Sequence, residues 1–160
     1  MPSRRDQIKM TPAEVDEFLA GRRTLNIATI GPTGHPHVVA MWYGFFGDQV
    51  AFWTFGRAQK VLNIRRDPKI SALVEDGQTY SQLRGVELVG TARLVEERES
   101  IIAIGMSVAQ RYQSADAETI RAGVETIRAG VEAQADKRLG VVIDVERVVS
   151  WDHTKLGGAY

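Results

Sequence analysis

The sequence predicts a mainly β domain with helices (α+β), in which six antiparallel strands close, or nearly close, into a barrel. Three observations predict it. Between Leu25 and Phe55, three apolar runs are joined by short glycine turns, the signature of an antiparallel meander. A longer run from about Tyr80 to Leu94 contains Gly85 and Gly90, which mark a bulge or bend of the kind that helps a sheet close. The helical patterns are few: one at the start, a short one between strands three and four, and an excursion before strand six. A barrel accommodates that order best.

Taken in order, residues 1–10 (MPSRRDQIKM) read as a flexible N-terminal stretch; two arginines without an apolar segment do not make a signal peptide. Thr11-Pro12-Ala13-Glu14 starts a helix, with Thr11 as N-cap, Pro12 in the first turn and Glu14 completing a capping box. Val15, Phe18 and Leu19 form its apolar stripe and Gly21 ends it. Leu25–Ile30 is a strand and Gly31-Pro32-Thr33-Gly34 a turn. A long second strand runs from Pro36 to about Phe46, Gly47-Asp48 turns, and a third strand from Gln49 ends in Phe52, Trp53, Thr54 and Phe55.

Gly56 breaks that strand and Arg57 opens a basic helix, with Ala58, Val61, Leu62 and Arg65 sharing one side. Asp67-Pro68 stops it, because the residue before a proline is steered out of the α region. Strand, glycine turn, basic helix and strand together present unpaired N–H groups and a positive dipole end, reinforced by Arg57 and Lys60. That suits an anion, phosphate above all. The same composition also fits a solvated basic helix carrying Arg57, Lys60, Arg65, Arg66 and Lys69.

Ile70–Glu75 forms the fourth strand and Asp76-Gly77-Gln78 a tight turn into the long fifth one. From Glu96 the pattern is helical. IRAGVE at 120–125 repeats at 127–132, placing Ile120, Val124, Ile127 and Val131 at heptad-like positions. Two heptads are too few for a coiled coil, so this is one amphipathic helix packed against the barrel or a partner chain. Gly123 and Gly130 weaken it by roughly 1 kcal/mol each relative to alanine, so it needs tertiary support. Leu139–Trp151 is the last strand, and residues 152–160 form a polar tail.

The 160 residues suffice for a single domain, 1–160. Lys plus Arg and Asp plus Glu each number 20, so no long-range attraction to nucleic acid or anionic membrane is expected. The absence of cysteine excludes disulfides, thiolate nucleophiles and thiolate metal sites. No apolar run reaches the length of a membrane span, and a soluble, cytoplasmic protein is expected. His35, His37 and His153 read as loop-edge residues, and no metal site is expected. Most of Trp42, Tyr43, Phe45 and Phe46 belong in the core, though period-2 alternation turns some to the other face, where one could floor a pocket.

GPTGHPHVVAMWYGFFGD (31–48), GRAQKVLNIRRDPKIS (56–71), LRGVELVGTARLVE (83–96) and the ending VERVVSWDHTKLGGAY resemble the pyridoxamine 5′-phosphate oxidase-like split β-barrel superfamily. More narrowly they resemble its flavin/deazaflavin oxidoreductases, which use the deazaflavin coenzyme F-420. The KxxNxRRDP block (60–68) and the SWDHxKLGG ending are the most specific parts. The resemblance implies a homodimer with cofactor sites at the subunit interface. It places the cofactor phosphate on Thr54, Arg57 and Lys60, and the ring along Val39, Ala40, Met41, Trp53 and Thr54. It closes the site with partner-subunit residues near Leu83, Gly85 and Val86. The implied activity is hydride transfer between reduced coenzyme F-420 and an unsaturated small molecule. FMN is the alternative cofactor, and a non-catalytic flavin or haem binder the alternative of another class. Catalytic side chains are unknown, and no acid/base pair stands out, which fits hydride chemistry carried by a cofactor. The cations Arg65, Arg66 and Lys69 lie where a polyglutamate tail would run beyond the phosphate. In the tail, Lys155 either caps the last strand or meets an anionic cofactor tail or substrate at the partner's site.

Overall fold

A computed structural model describes residues 3–21, 23–112 and 117–158, giving only the backbone for 117–122. The heptad residue Ile120 and the terminal Ala159 and Tyr160 therefore fall outside what is described at side-chain level.

Helices α1 (Arg4–Ile8) and α2 (Pro12–Ala20) precede strands β1 (Leu25–Ile30), β2 (Pro36–Met41), β3 (Gly44–Phe46) and β4 (Gln49–Phe55). Then come α3 (Gln59–Arg66), β5 (Lys69–Asp76), β6 (Arg84–Val95), α4 (Arg98–Tyr112), α5 (Ala117–Ala135) and β7 (Arg138–Asp152). All seven strands form one antiparallel sheet in the order β2-β1-β5-β6-β7-β4-β3. Its two edge strands, β2 and β3, are separated in sequence only by Trp42 and Tyr43. A two-residue link between opposite edges requires the sheet to curl round on itself, which makes the half-barrel.

The sheet has seven strands, not the expected six, because the long second strand is interrupted at Trp42-Tyr43. The cause is helix α4. The Tyr43 side chain is fully buried and donates to the Leu19 carbonyl at 2.6 Å. Its backbone carbonyl accepts from Arg111 Nε at 3.0 Å, and Phe45 N–H donates to Ser107 Oγ at 2.8 Å. Side chains of α4 thus replace a strand partner at the seam, as buried backbone polar groups demand. Gly44 is needed there because a Cβ would collide with Ser107.

The Thr11–Glu14 capping box forms as read, with both reciprocal bonds present. Residues 3–10, expected as a flexible extension, instead carry the Ser3-capped helix α1, and Met10 is buried. The expected irregularity in the long strand falls between Val89 and Gly90, where a Cβ on Gly90 would strike the Asp144 carbonyl. That strand begins at Arg84 rather than about Tyr80, since Tyr80–Gln82 is a turn of 3-10 helix.

The barrel interior is filled by Leu25, Ile27, Phe52, Val74, Val86 and Val141, all fully buried. Helix α3 plugs one end with Val61 and Ile64. Leu62, expected on that inner side, is exposed, and Asn63 is buried in its place because Thr29 on β1 offers its amide an oxygen at 3.0 Å. Outside, α4 and α5 pack together through Ile101, Ile102, Val131 and Ala135. Of the duplicated segment, Val131 is buried and Ile127 partly so, whereas Val124 is exposed. No helix among the described residues is long and apolar enough to cross a membrane.

Candidate functional site

The site grows from the end of β4. Phe52 and Thr54 are buried, whereas Trp53 and Phe55 occupy the alternate positions of the strand and are more exposed. After Phe55 the chain turns through Gly56, whose N–H donates to the Lys137 carbonyl at 3.0 Å and ties the turn to β7. Ala58 is the N-cap of α3 and offers no side-chain cap. Arg57 therefore stands in the turn rather than opening the helix. The N–H groups of Gln59 and Lys60 face out of the helix end without an intrahelical acceptor.

Lys60 reaches back to Thr54, donating from Nζ to Oγ1 at 3.2 Å. Its ammonium is half-buried, and that burial alone pushes its pKa down; no carboxylate acts on it. Asn63, one turn on, is held by Gln59 at 2.8 Å and holds Thr29, so it positions α3 against β1.

Two neighbouring cavities flank this strand end. One, of about 520 Å³, straddles the seam and is lined by Thr24, Ala40, Met41, Trp42, Trp53, Val108, Ala109 and Arg138. The other, of about 600 Å³, is lined by Phe55, Gly56, Arg57, Arg65, Glu96, Asp136, Lys137, Arg138 and Leu139. Arg138 is common to both. Its guanidinium carbon lies 4.4 Å from the Trp53 ring centroid and 4.3 Å from that of Phe55.

Of the residues implicated by sequence, Ala40, Met41 and Trp53 meet in the first cavity, Arg57 lines the second, and Thr54 and Lys60 pair with each other. Val39 packs against the core. Leu83, Gly85 and Val86 line neither cavity within this chain: Val86 is fully buried in the core and the Trp151 ring covers Gly85. The Leu83 carbonyl accepts from His153 N–H at 2.9 Å. The basic run is not a free track. Arg66 donates to the Ile30 carbonyl and to Asn63, Arg65 pairs with Glu96, and Lys69 lies 3.8 Å from Asp67. Lys155 is likewise engaged within its own chain, donating to Glu14 at 2.6 Å and to the Lys9 carbonyl at 2.9 Å.

Sequence reasoning left out Arg138, Thr24, Val108 and Ala109. Trp42, considered as a possible floor, does line the seam cavity and stacks on Tyr112 with centroids 5.0 Å apart. Tyr43 belongs to the barrel core with Phe45 packed against it, and Phe46 packs against Ala51, Val95, Ile104 and Val142. Among the described residues no group of three His, Asp or Glu side chains is placed to hold a metal ion.

This curled sheet with a plugged end and a seam cavity is the architecture of a known family. Residues 11–152 match the model of the pyridoxamine 5′-phosphate oxidase family, and the chain belongs to it. A conserved hypothetical protein of Mycobacterium tuberculosis is 41% identical over 99% of this chain and 95% of its own, with a TM-score of 0.85. An F-420 reductase shares the fold at 22% identity, covering 83% of this chain and 94% of its own, with a TM-score of 0.62. So does a haem storage protein of Vibrio cholerae, at 20% identity over 87% of this chain and 94% of its own, with a TM-score of 0.61. No curated protein matches the chain significantly.

Proposed function

We propose that this protein is an oxidoreductase that transfers a hydride between the reduced deazaflavin coenzyme F-420 and an unsaturated small molecule. The observation that carries it is Lys60: a half-buried ammonium with no acid partner, beside the uncapped start of a helix. A protein that desolvates a cation without pairing it is prepared for an anion. The residues fit the cofactor. Lys60, Thr54, Arg57 and the first N–H groups of α3 would hold the phosphate, and Trp42, Trp53, Ala40 and Met41 would take the ring system. When bound, the deazaflavin supplies the hydride. Among the described residues the wall of the seam cavity holds no carboxylate or imidazole, and the chain's own part is to bind, orient and exclude water, with Val108 and Ala109 forming its apolar side.

FMN in the same site is the second reading, and one observation favours it. Arg66 and Lys69, which a long anionic tail would use, are engaged by Ile30, Asn63 and Asp67. The haem alternative has less in its favour, since none of His35, His37 and His153 lines either cavity.

A homodimer completes the proposal. In register, Val38, Ala28, Ser71 and Val89 form one row across β2, β1, β5 and β6, and Ala40, Asn26 and Leu73 lie in the next. Val38 on β2 and Trp42 just beyond its end are both 62% exposed, a large value for apolar side chains. Fluorescence titration of the purified protein with coenzyme F-420 and with FMN tests the cofactor assignment. The deazaflavin should bind more tightly than FMN. Tighter FMN binding at every salt concentration would transfer the site to the flavin.

A further inference from the structure

The second cavity, beyond the Arg138 wall, has a charge balance of its own. Its lining includes four cations, Arg57, Arg65, Lys137 and Arg138, against Glu96 and Asp136. Arg65 is paired with Glu96, and Asp136 is taken by Arg98 at 3.3 Å. That leaves Arg57, Lys137 and Arg138 without an acid partner among the described residues, in a chain whose formal net charge is zero.

Arg138 is the one of the three held by aromatic rings: Trp53 and Phe55, two residues apart on β4, both lie against its guanidinium. One terminal nitrogen donates to Gln134 at 2.7 Å. Nε is buried and has no hydrogen-bond acceptor among the described residues. A buried donor left unmet costs free energy and calls for an explanation, a bound ion among them. An in-plane guanidinium edge matches the planar, two-oxygen geometry of a carboxylate.

We propose that this cavity is a carboxylate site, with Arg138 as its specificity-determining residue, and that the molecule reduced here is a small acid whose carboxylate docks on Arg138. The substrate class rests on the oxidoreductase reading above; the carboxylate site does not. Arg138 belongs to the walls of both cavities, so an acid anchored on its edge extends its unsaturated part toward the seam.

The experiment titrates the protein, without added cofactor, with benzoate, with benzamide as its neutral isostere, and with inorganic phosphate. Two readouts are followed: the ¹⁵N–¹H signal of Arg138 Nε and the fluorescence of Trp53, which lies against it. Benzoate should shift the Arg138 signal saturably and bind at least tenfold more tightly than benzamide or phosphate. Arg138→Gln should abolish that preference and Arg138→Lys should recover only part of it. Because both substitutions disturb the aromatic contact, the wild-type signal decides alone if either variant unfolds. Equal affinity for benzoate and benzamide, an unmoved Nε signal, or phosphate shifting the Arg138 Nε signal of Lys60→Ala at lower concentration than benzoate does would each overturn the proposal. Lys60→Ala separates the two readings. Lost cofactor binding with benzoate binding kept supports both, whereas intact cofactor binding in that variant sinks the Lys60 assignment and leaves the carboxylate site standing.

Discussion

Replacing Lys60 by methionine should weaken cofactor binding and leave the free protein at least as stable. The two effects share one origin. Lys60 is half-buried, among the described residues donates only to the neutral Thr54 hydroxyl, and has its pKa lowered by burial alone. In the unfolded chain it recovers its ordinary pKa. Between the lowered folded pKa and that ordinary value the unfolded state binds more protons, so stability rises with pH across this window. Below the window the charged ammonium costs the native state stability, and methionine, similar in length and uncharged, removes that cost. With cofactor bound the sign reverses: a charge-assisted contact to phosphate contributes about 1.5–3 kcal/mol. Its loss corresponds to a roughly ten- to hundredfold weaker Kd. Thermal melts of the free proteins and fluorescence titrations with coenzyme F-420 and FMN read the two effects separately. Wild-type affinity in Lys60→Met would refute the anion-site reasoning. A clear loss of stability in the free variant would mean that Lys60 has a structural partner after all.

Asn63→Ala should destabilise the fold by about 1–3 kcal/mol, because it strands the buried Thr29 hydroxyl; chemical denaturation checks this, and an unchanged midpoint would contradict the role given to Asn63. The Glu14 carboxyl is held below the usual carboxylate range, first by its hydrogen bond from Lys155. That contribution is present above the ordinary carboxylate pKa and disappears as pH falls through the lowered one, so Lys155→Ala and wild type should converge in stability in acid and separate at neutral pH. Sedimentation at micromolar concentration should show a dimer, and Val38→Glu on the outer face of β2 should shift it to monomer; a wild-type monomer that binds cofactor would refute the shared-site arrangement.

What the sequence revealed and what it hid follow from the range of the interactions involved. The Thr11–Glu14 capping box is complete within four residues, and it formed as read. Gly90 announced an irregularity, and the bulge lies beside it. The inner face of α3 was misread: Leu62 and Arg65, placed on it, are exposed, and Asn63 and Ile64 are buried instead; at Asn63 the reason is that hydrophobic spacing cannot credit a polar side chain with burial. Asn63 turns inward only because Thr29, 34 residues earlier, supplies an oxygen. Arg66 looked like a free cation for the same reason: its acceptors on Ile30 and Asn63 come from the docking of α3 on β1. Arg138 was invisible as a site residue. In sequence it merely precedes an apolar strand, and only the pairing of Phe55 with Arg138 across β4 and β7 brings it to the two aromatic rings.

The missed strand break and the seam cavity have a common cause. A sheet that curls until its edges meet, without completing the ladder between them, leaves backbone groups that need partners from elsewhere. Ser107, Arg111 and Tyr112 of α4 supply them at β3 and Tyr43. On the β2 side, Ala40, Met41 and Trp42 instead face Trp53 across open space. The helix that closes one half of the seam therefore fixes the width of the other, with Val108 and Ala109 as the shared wall. Site and strand break are two results of one packing choice, and α4, which sequence reading treated as an excursion before the last strand, makes that choice.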